Sequence, residues 1–393
     1  MTTEKQNKYK KNITLVGLAS FFGGISQDMV VPIIPVYLAS VLGMPKTMIG
    51  LSEGVLMAGA SAFKIIAGWL SDKYRTQKPF IIFGYATSML SRALLAAFAS
   101  FGAVSALRFL DGVGKGTKDA PKSALLANST EQKTRGKSFG ITRALDTLGS
   151  VVGPVLLYIG LRFFGTGASG YKTIFLLAAI PVFITIIIFA FFISEPPVAE
   201  KKQTTVVAPL PRAFYIFIAI VGIFTLGNSS DAFLLLRTQE LGVQVLMIPL
   251  VYALFNFIYA SASIPLGSLS DKIGRINVIL LGWIAYAIAY LGFANATHSW
   301  HAWVLFGFYG LYYATTEGVA KAFVADLVPQ DRRGTAYGIY NTSIGLLALP
   351  ASFIAGLAWD HIGVSAPFYI GASTACVAAT ALLLFQPKSK GLF

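Results

Sequence analysis

The chain has 393 residues, 55% of them hydrophobic and 12% charged, and its mean hydropathy is +0.68. Soluble globular chains carry about 25% charged residues, so half that content over this length excludes a soluble protein. The formal net charge of +14 would suit nucleic acid, but the bases sit in loops between apolar segments, so nucleic acid is excluded as a partner and a lipid bilayer is required.

A bilayer-spanning helix needs roughly 20 apolar residues. Twelve such segments follow one another, at 12–40, 47–70, 79–99, 102–127, 137–161, 171–194, 212–237, 245–269, 276–297, 301–327, 334–358 and 366–386. Lys5, Lys8, Lys10 and Lys11 precede the first, as in a signal peptide. Its apolar run is too long for that, and no small-residue cleavage site follows, so it reads as a spanning helix. Bases collect in alternate connections: Lys73, Arg75 and Lys78; Lys133, Arg135 and Lys137; Lys201, Lys202 and Arg212; Lys272 and Arg275; Arg332 and Arg333; Lys388 and Lys390. The other connections hold Lys46, Arg162, Lys172 and Arg237. This bias predicts that both termini are cytoplasmic, in an inner (plasma) membrane. The single cysteine, Cys376, lies inside segment 12, so no intrachain disulfide forms. His298 and His301 stand three apart in an outside connection, with no acidic or cysteine neighbour to complete a metal site.

The chain repeats itself. GWLSDKYR (68–75) recurs as GSLSDKIGR (267–275), and RGKSFGI (135–141) as RGTAYGI (333–339), at offsets of 199 and 198. At the offset of 198, Asp119 aligns with Glu317 and Asn128 with Asp326. Two related halves, 1–194 and 212–393, are therefore expected, joined by a Pro-, Lys- and Thr-rich cytoplasmic linker at 195–211.

These motifs resemble the major facilitator superfamily over essentially the whole chain. The G-x-L-S-D-K stretch, present after segments 2 and 8, is similar to the family's gating loop. GSVVGP (149–154) is similar to the start of its antiporter motif, but Val155 to Tyr158 stand where that motif ends in a glycine pair. DMVVPIIP (28–35) resembles the Asp-then-two-Pro pattern of the drug:proton branch. The resemblance implies an all-α membrane protein with 12 transmembrane helices in two pseudo-symmetric six-helix bundles. It implies a cavity lined by segments 1, 4, 7 and 10, with 3, 6, 9 and 12 outside. It also implies a secondary active transporter that works by alternating access as a monomer, not an enzyme. Gly68, Asp72, Lys73, Gly267, Asp271 and Lys272 would latch the halves on the cytoplasmic side. No nucleotide-binding signature is present, so a proton gradient, and no cofactor, is expected to supply the energy.

Segment 4 carries an anomaly. RFLDGVGKGTKDAPK places Arg108, Asp111, Lys115, Lys118, Asp119 and Lys122 inside a spanning segment. A charge at the bilayer centre costs about 2.5–3.5 kcal/mol, so six facing lipid would cost roughly 15–20 kcal/mol, at or above a typical net stability of about 5–15 kcal/mol. At about 100° per residue the six fall within roughly a 100° arc, a stripe about 21 Å long. Phe109, Val113, Thr117 and Ala124 occupy the opposite face. The stripe must line water or a charged partner surface. Asp111 can neutralise Arg108 or Lys115, and Asp119 can neutralise Lys115 or Lys122, which leaves a net +2 for other helices or a bound anion.

Other segments offer Asp28, Glu53, Lys64, Arg92, Arg143 and Asp146, and in the second half Asp231, Glu317 and Lys321. Arg92 lies on an outer segment and is expected in an ion pair, with Glu53 in reach. The second half offers mainly Tyr252, Asn256, Tyr312, Tyr313, Tyr340 and Asn341. Arg108, Lys115 and Arg143 are candidates to bind an anionic or zwitterionic solute, with Asp28, Asp111, Asp231, Tyr312, Tyr313 and Asn256 around it. Asp28, Asp119, Glu317, Glu53 and Asp146 are candidates to carry protons. Multidrug efflux in exchange for protons is the competing reading. Gly112, Gly114 and Gly116, followed by Pro121, predict a helix that either bends during transport or packs closely on its neighbours.

Overall fold

The computed structural model describes residues 3–98, 100–130, 135–195, 209–329 and 332–385, and within these the chain is all-helical. Twelve helical passes follow the twelve predicted segments. They are α1 (Thr3–Val30), α2 (Lys46–Lys73), α3 (Lys78–Leu94), α4 (Phe101–Asn128), α5 (Arg135–Phe164), α6 (Ala168–Phe192), α7 (Arg212–Glu240), α8 (Val245–Ile273), α9 (Arg275–Asn295), α10 (Ser299–Leu327), α11 (Arg333–His361) and α12 (Ala366–Leu384). Nine of them, among the described residues, are long and apolar enough to cross a membrane. The others are α3, of 17 residues, and α4 and α10, whose polar faces lower their hydropathy. Most of the proposed linker, residues 196–208, lies outside the described residues.

In the first bundle α2 and α3 pack along α4, and α5 along α1; in the second α8 and α9 pack along α10, and α12 along α7 and α9. Two seams, α2 with α11 and α5 with α8, join the bundles. α4 runs unbroken through Pro121. Its glycines serve close packing: a Cβ on Gly112 would strike the Leu56 carbonyl, and one on Gly116 the Ala60 carbonyl.

The first helix of each bundle is discontinuous, which the continuous segments 12–40 and 212–237 did not anticipate. After Val30, α1 passes a turn at 31–33, resumes over Ile34–Val36 and widens to a π turn at Tyr37–Val41. Pro32 and Pro35 remove two backbone donors and disfavour helical geometry in the residues before them. α7 stops at Gly227, leaves 228–230 non-helical and restarts at Ala232. Asn228, Ser229 and Ser230 have short polar side chains that compete for backbone hydrogen bonds. Each break lies beside a carboxylate, Asp28 or Asp231.

The bundles meet on the face away from the termini. There Asp360 at the end of α11 accepts from the backbone N–H groups of Lys46 and Thr47 at 3.1 and 2.7 Å, and from the Thr47 hydroxyl at 2.7 Å. Gln239 on α7 donates to Ser40 at 2.8 Å. Deeper in, Asn256 on α8 donates to the Ser150 carbonyl on α5 at 2.9 Å. Closer to the face of the termini, Arg143, Glu317 and Lys321 have side chains 55, 35 and 42% exposed. Charges at that depth cannot face lipid, so their exposure between the bundles is to water.

Candidate functional site

The stripe on α4 is neutralised mainly by other helices. Arg108 bonds the Glu53 carboxylate of α2 and lies 3.9 Å from Asp111. Arg92 of α3 lies 3.4 Å from Asp111 and donates to the Ser26 hydroxyl of α1 at 2.8 Å. Two guanidinium groups and two carboxylates, each side chain at most 10% exposed, form one neutral network through α2, α3 and α4. Arg92 is thus ion-paired, but with Asp111 and not with Glu53, because Arg108 already takes that carboxylate. Ser230, in the α7 break, donates to Glu53 at 3.3 Å and ties the network to the second bundle.

Further along the stripe the pairing also differs from the expectation. Asp119 is 3.7 Å from Lys118, its chain neighbour, and not from Lys115 or Lys122. The Lys118 ammonium also lies over the Tyr85 ring at 5.2 Å, a favourable placement for a cation. Lys122 donates to Ser20 of α1 at 3.4 Å. Lys115 remains: among the described residues it has no hydrogen bond and no ion pair. It stands within electrostatic range of Asp28 on α1 and Asp231 on α7.

Asp231 is held differently. At the restart of α7 its Oδ1 accepts from the hydroxyls of Tyr309 at 2.6 Å and Tyr313 at 3.4 Å, both on α10. Phe255 of α8 packs at 5.4 Å from the Tyr309 ring and 5.2 Å from that of Tyr313, and Tyr259 lies 5.7 Å from Tyr313. Tyr312, by contrast, accepts from Asn228 at 3.0 Å. Tyr252 and Tyr340 are buried, and Asn341 donates to its own helix at Tyr337.

Nearer the basic face is a third cluster. Arg143 of α5 reaches across to Tyr259 at 2.6 Å and to Glu317 at 3.2 Å, and pairs with Asp146 at 3.4 Å within its own helix. Glu317 also accepts from Lys321 at 3.1 Å and from the Tyr259 hydroxyl.

The repeated loops lie at the basic ends of α2 and α8. Gly68 faces Ala120, and the Lys73 ammonium covers the Trp69 ring at 4.9 Å; Asp72 is exposed. Asp271 pairs with Arg275 at 3.2 Å, and Arg275 also bonds Asp326, so this copy is tied within the second bundle. Gly267 and Lys272 beside it are open to their surroundings. Arg75 and Gly274, at equivalent repeat positions, both adopt left-handed backbone, φ 54° and 93°. That conformation ends a helix and normally selects glycine. His301 accepts from the backbone N–H groups of Thr297 and His298 at 3.2 and 3.3 Å, so it caps α10.

Sequence reasoning singled out Lys115, Asp28 and Asp231 but not Tyr309, Tyr259, Ser230 and Asp360, which the structure brings beside the charged groups. Tyr309 carried a signal: it stands one helical turn before Tyr313, on the same face, and aligns with Asp111 at the offset of 198. Asp360 carried none, since it falls beyond the end of segment 11.

A family model described as Major Facilitator Superfamily matches residues 16–235 and 213–392. An MFS-type transporter of Methanocaldococcus jannaschii is 37% identical over 389 residues, 97% of this chain and 96% of that one. The multi-drug resistance efflux pump PmrA of Streptococcus pneumoniae is 24% identical over 390 residues, 95% of each chain. Among solved structures, the nucleoside transporter NupG superposes with a TM-score of 0.77 at 15% identity, over 96% of this chain and 99% of that one.

Proposed function

The chain belongs to the major facilitator superfamily, a transporter and not an enzyme, and on that premise we propose that it moves a small anionic or zwitterionic organic solute by alternating access, coupled to protons. One observation carries the reading. Lys115 is a cation near the mid-plane of α4 with no ion-pair partner among the described residues, in a stripe whose other ions are paired or hydrogen-bonded. Leaving a charge unpaired at that depth is unfavourable, so a ligand group of opposite sign is the natural partner. Of the five candidate proton carriers, Glu53, Asp119, Asp146 and Glu317 all stand in ion pairs, while Asp28 has none among the described residues. Asp28 therefore takes the coupling proton in this proposal. In this proposal the basic face is the cytoplasmic one.

Alternation would require the Arg143–Glu317 and Arg143–Tyr259 bonds to rearrange as the bundles rock, since they cross from the first bundle to the second. The bonds of Asp360 to Lys46 and Thr47 would break when the opposite face opens. In proteoliposomes, a panel of labelled organic anions and amino acids should show counterflow of at least one member, accelerated by an inward proton gradient. Counterflow insensitive to pH and to Lys115→Gln would overturn the reading.

A second reading, proton-coupled efflux of lipophilic cations, is favoured by the likeness to PmrA and by Asp28 ahead of Pro32 and Pro35. It predicts that Lys115→Gln leaves transport intact while Asp231→Asn abolishes it.

A further inference from the structure

Removing the internally satisfied ions from the mid-plane leaves a short balance. Arg92 and Arg108 cancel Glu53 and Asp111, Lys118 cancels Asp119, and Arg143 with Lys321 cancels Glu317 with Asp146. Among the described residues the interior ions left without an ion-pair partner are Lys64, Lys115, Lys122 and Asp28 in the first bundle and Asp231 in the second; Lys64 and Lys122 act on Asp119, which Lys118 already pairs, while Lys115 acts on both Asp28 and Asp231. A cation without an ion-pair partner in the first bundle, Lys115, thus has a carboxylate without one in the second, Asp231, within its electrostatic range. The surroundings differ in kind as well. Lys115 projects from a polar stripe, whereas Asp231 is fixed by the phenol hydroxyls of Tyr309 and Tyr313, whose rings pack on Phe255. A carboxylate held by two phenol hydroxyls suits an ammonium group, which gains from the charge and can donate to the phenol oxygens as well. It repels a second anion. A dianion, or a monoanion lacking a cationic group, would satisfy Lys115 and leave Asp231 unmatched.

We propose that the substrate is a zwitterion bound across the two bundles, its anionic group on Lys115 and its ammonium group on Asp231 within the tyrosine shell. This deepens the anionic-or-zwitterionic reading above and rests on it. Because both poles of one molecule are needed, the ligand itself draws the bundles together. The two engaged charges cancel the two poles of the ligand, and Asp28 remains the proton carrier of the reading above.

The test uses the purified full-length chain and three probes that share a phenylethyl unit: phenylalanine, 3-phenylpropanoate, which lacks its ammonium group, and 2-phenylethylammonium, which lacks its carboxylate. Ligand-induced thermal stabilisation is titrated for each. Phenylalanine should bind about tenfold or more tightly than either one-ended analogue. Lys115→Gln should bring phenylalanine to the level of the ammonium probe, and Asp231→Asn to that of the propanoate. Lys115→Arg, which keeps the charge, should retain most of the difference, and gel filtration reports whether each variant is folded. Propanoate binding as tightly as phenylalanine, unaffected by Asp231→Asn, overturns the zwitterion but leaves the anion reading standing. Ammonium binding as tightly, unaffected by Lys115→Gln, overturns both. Absence of stabilisation by all three probes also overturns the zwitterion proposal, and labelled-anion counterflow then decides the broader reading separately.

Discussion

α4 and α10 occupy the same place in the repeat and are built from opposite materials. At the offset of 198, Arg108 aligns with Phe306, Asp111 with Tyr309, Lys115 with Tyr313 and Lys118 with Thr316; only Asp119 and Glu317 match in charge. Each half then recruits neighbours to suit. Around α4, Glu53 and Arg92 arrive from α2 and α3 to neutralise ions. Around α10, α7, α8 and α9 supply rings: Phe224 stacks on Trp283 at 4.9 Å and Tyr286 on Tyr290 at 4.0 Å. Buried ion pairs lose heavily when one partner is removed, because the other is stranded without water. Aromatic contacts tolerate exchange for similar shapes. Duplicated scaffolds can therefore carry one fixed electrostatic wall and one adaptable wall. The asymmetry leaves Lys115, the charge proposed to hold substrate, on the ion-paired side.

The sharpest way to break this comparison is at Arg108. Arg108→Gln should lower stability by about 3–5 kcal/mol by leaving Glu53 uncompensated, whereas Phe306→Leu at the aligned position should cost about 1.5 kcal/mol or less. Chemical or thermal denaturation in detergent measures both, and adding Glu53→Gln to Arg108→Gln should recover much of the loss. Equal effects at the two positions would refute the contrast between walls.

Lys115→Gln should do the reverse of Arg108→Gln. With no ion-pair partner to strand, unfolding should be unchanged, while affinity for an anionic group falls by about 1.5–3 kcal/mol, read by ligand-induced stabilisation. Loss of folding that Asp119→Asn rescues would instead show a structural pair.

A smaller effect is expected at the aligned Tyr313. Tyr313→Phe removes one of two hydroxyls from Asp231 and keeps the ring, so binding of an ammonium probe should change by about 1 kcal/mol. Tyr309→Phe, which removes the shorter bond, should change it more. The smallest effect belongs to the exposed loop copy: Asp271→Asn should alter stability by about 0.2–1 kcal/mol. Transport rate should respond more than stability if this loop works as a gate.

Much of this protein was legible before any coordinates. Apolar segment length set the twelve passes, the recurrence of GWLSDKYR and RGKSFGI set the two halves, and the cost of charge in lipid required the α4 stripe to face inward. Periodicity also placed Lys115 on that stripe, and Asp28 and Asp231 stood out as carboxylates in the first helix of each half. Which ion neutralises which was decided only by the tertiary structure. Helical spacing tells the face on which a side chain lies, but a salt bridge depends on the approach of a second helix. So Arg92 met Asp111 and not Glu53, and Asp119 turned to Lys118, leaving Lys115 over. The breaks in α1 and α7, the closure by Asp360 and the ring shell on Asp231 likewise depend on contacts between segments far apart in the chain, which no local pattern encodes.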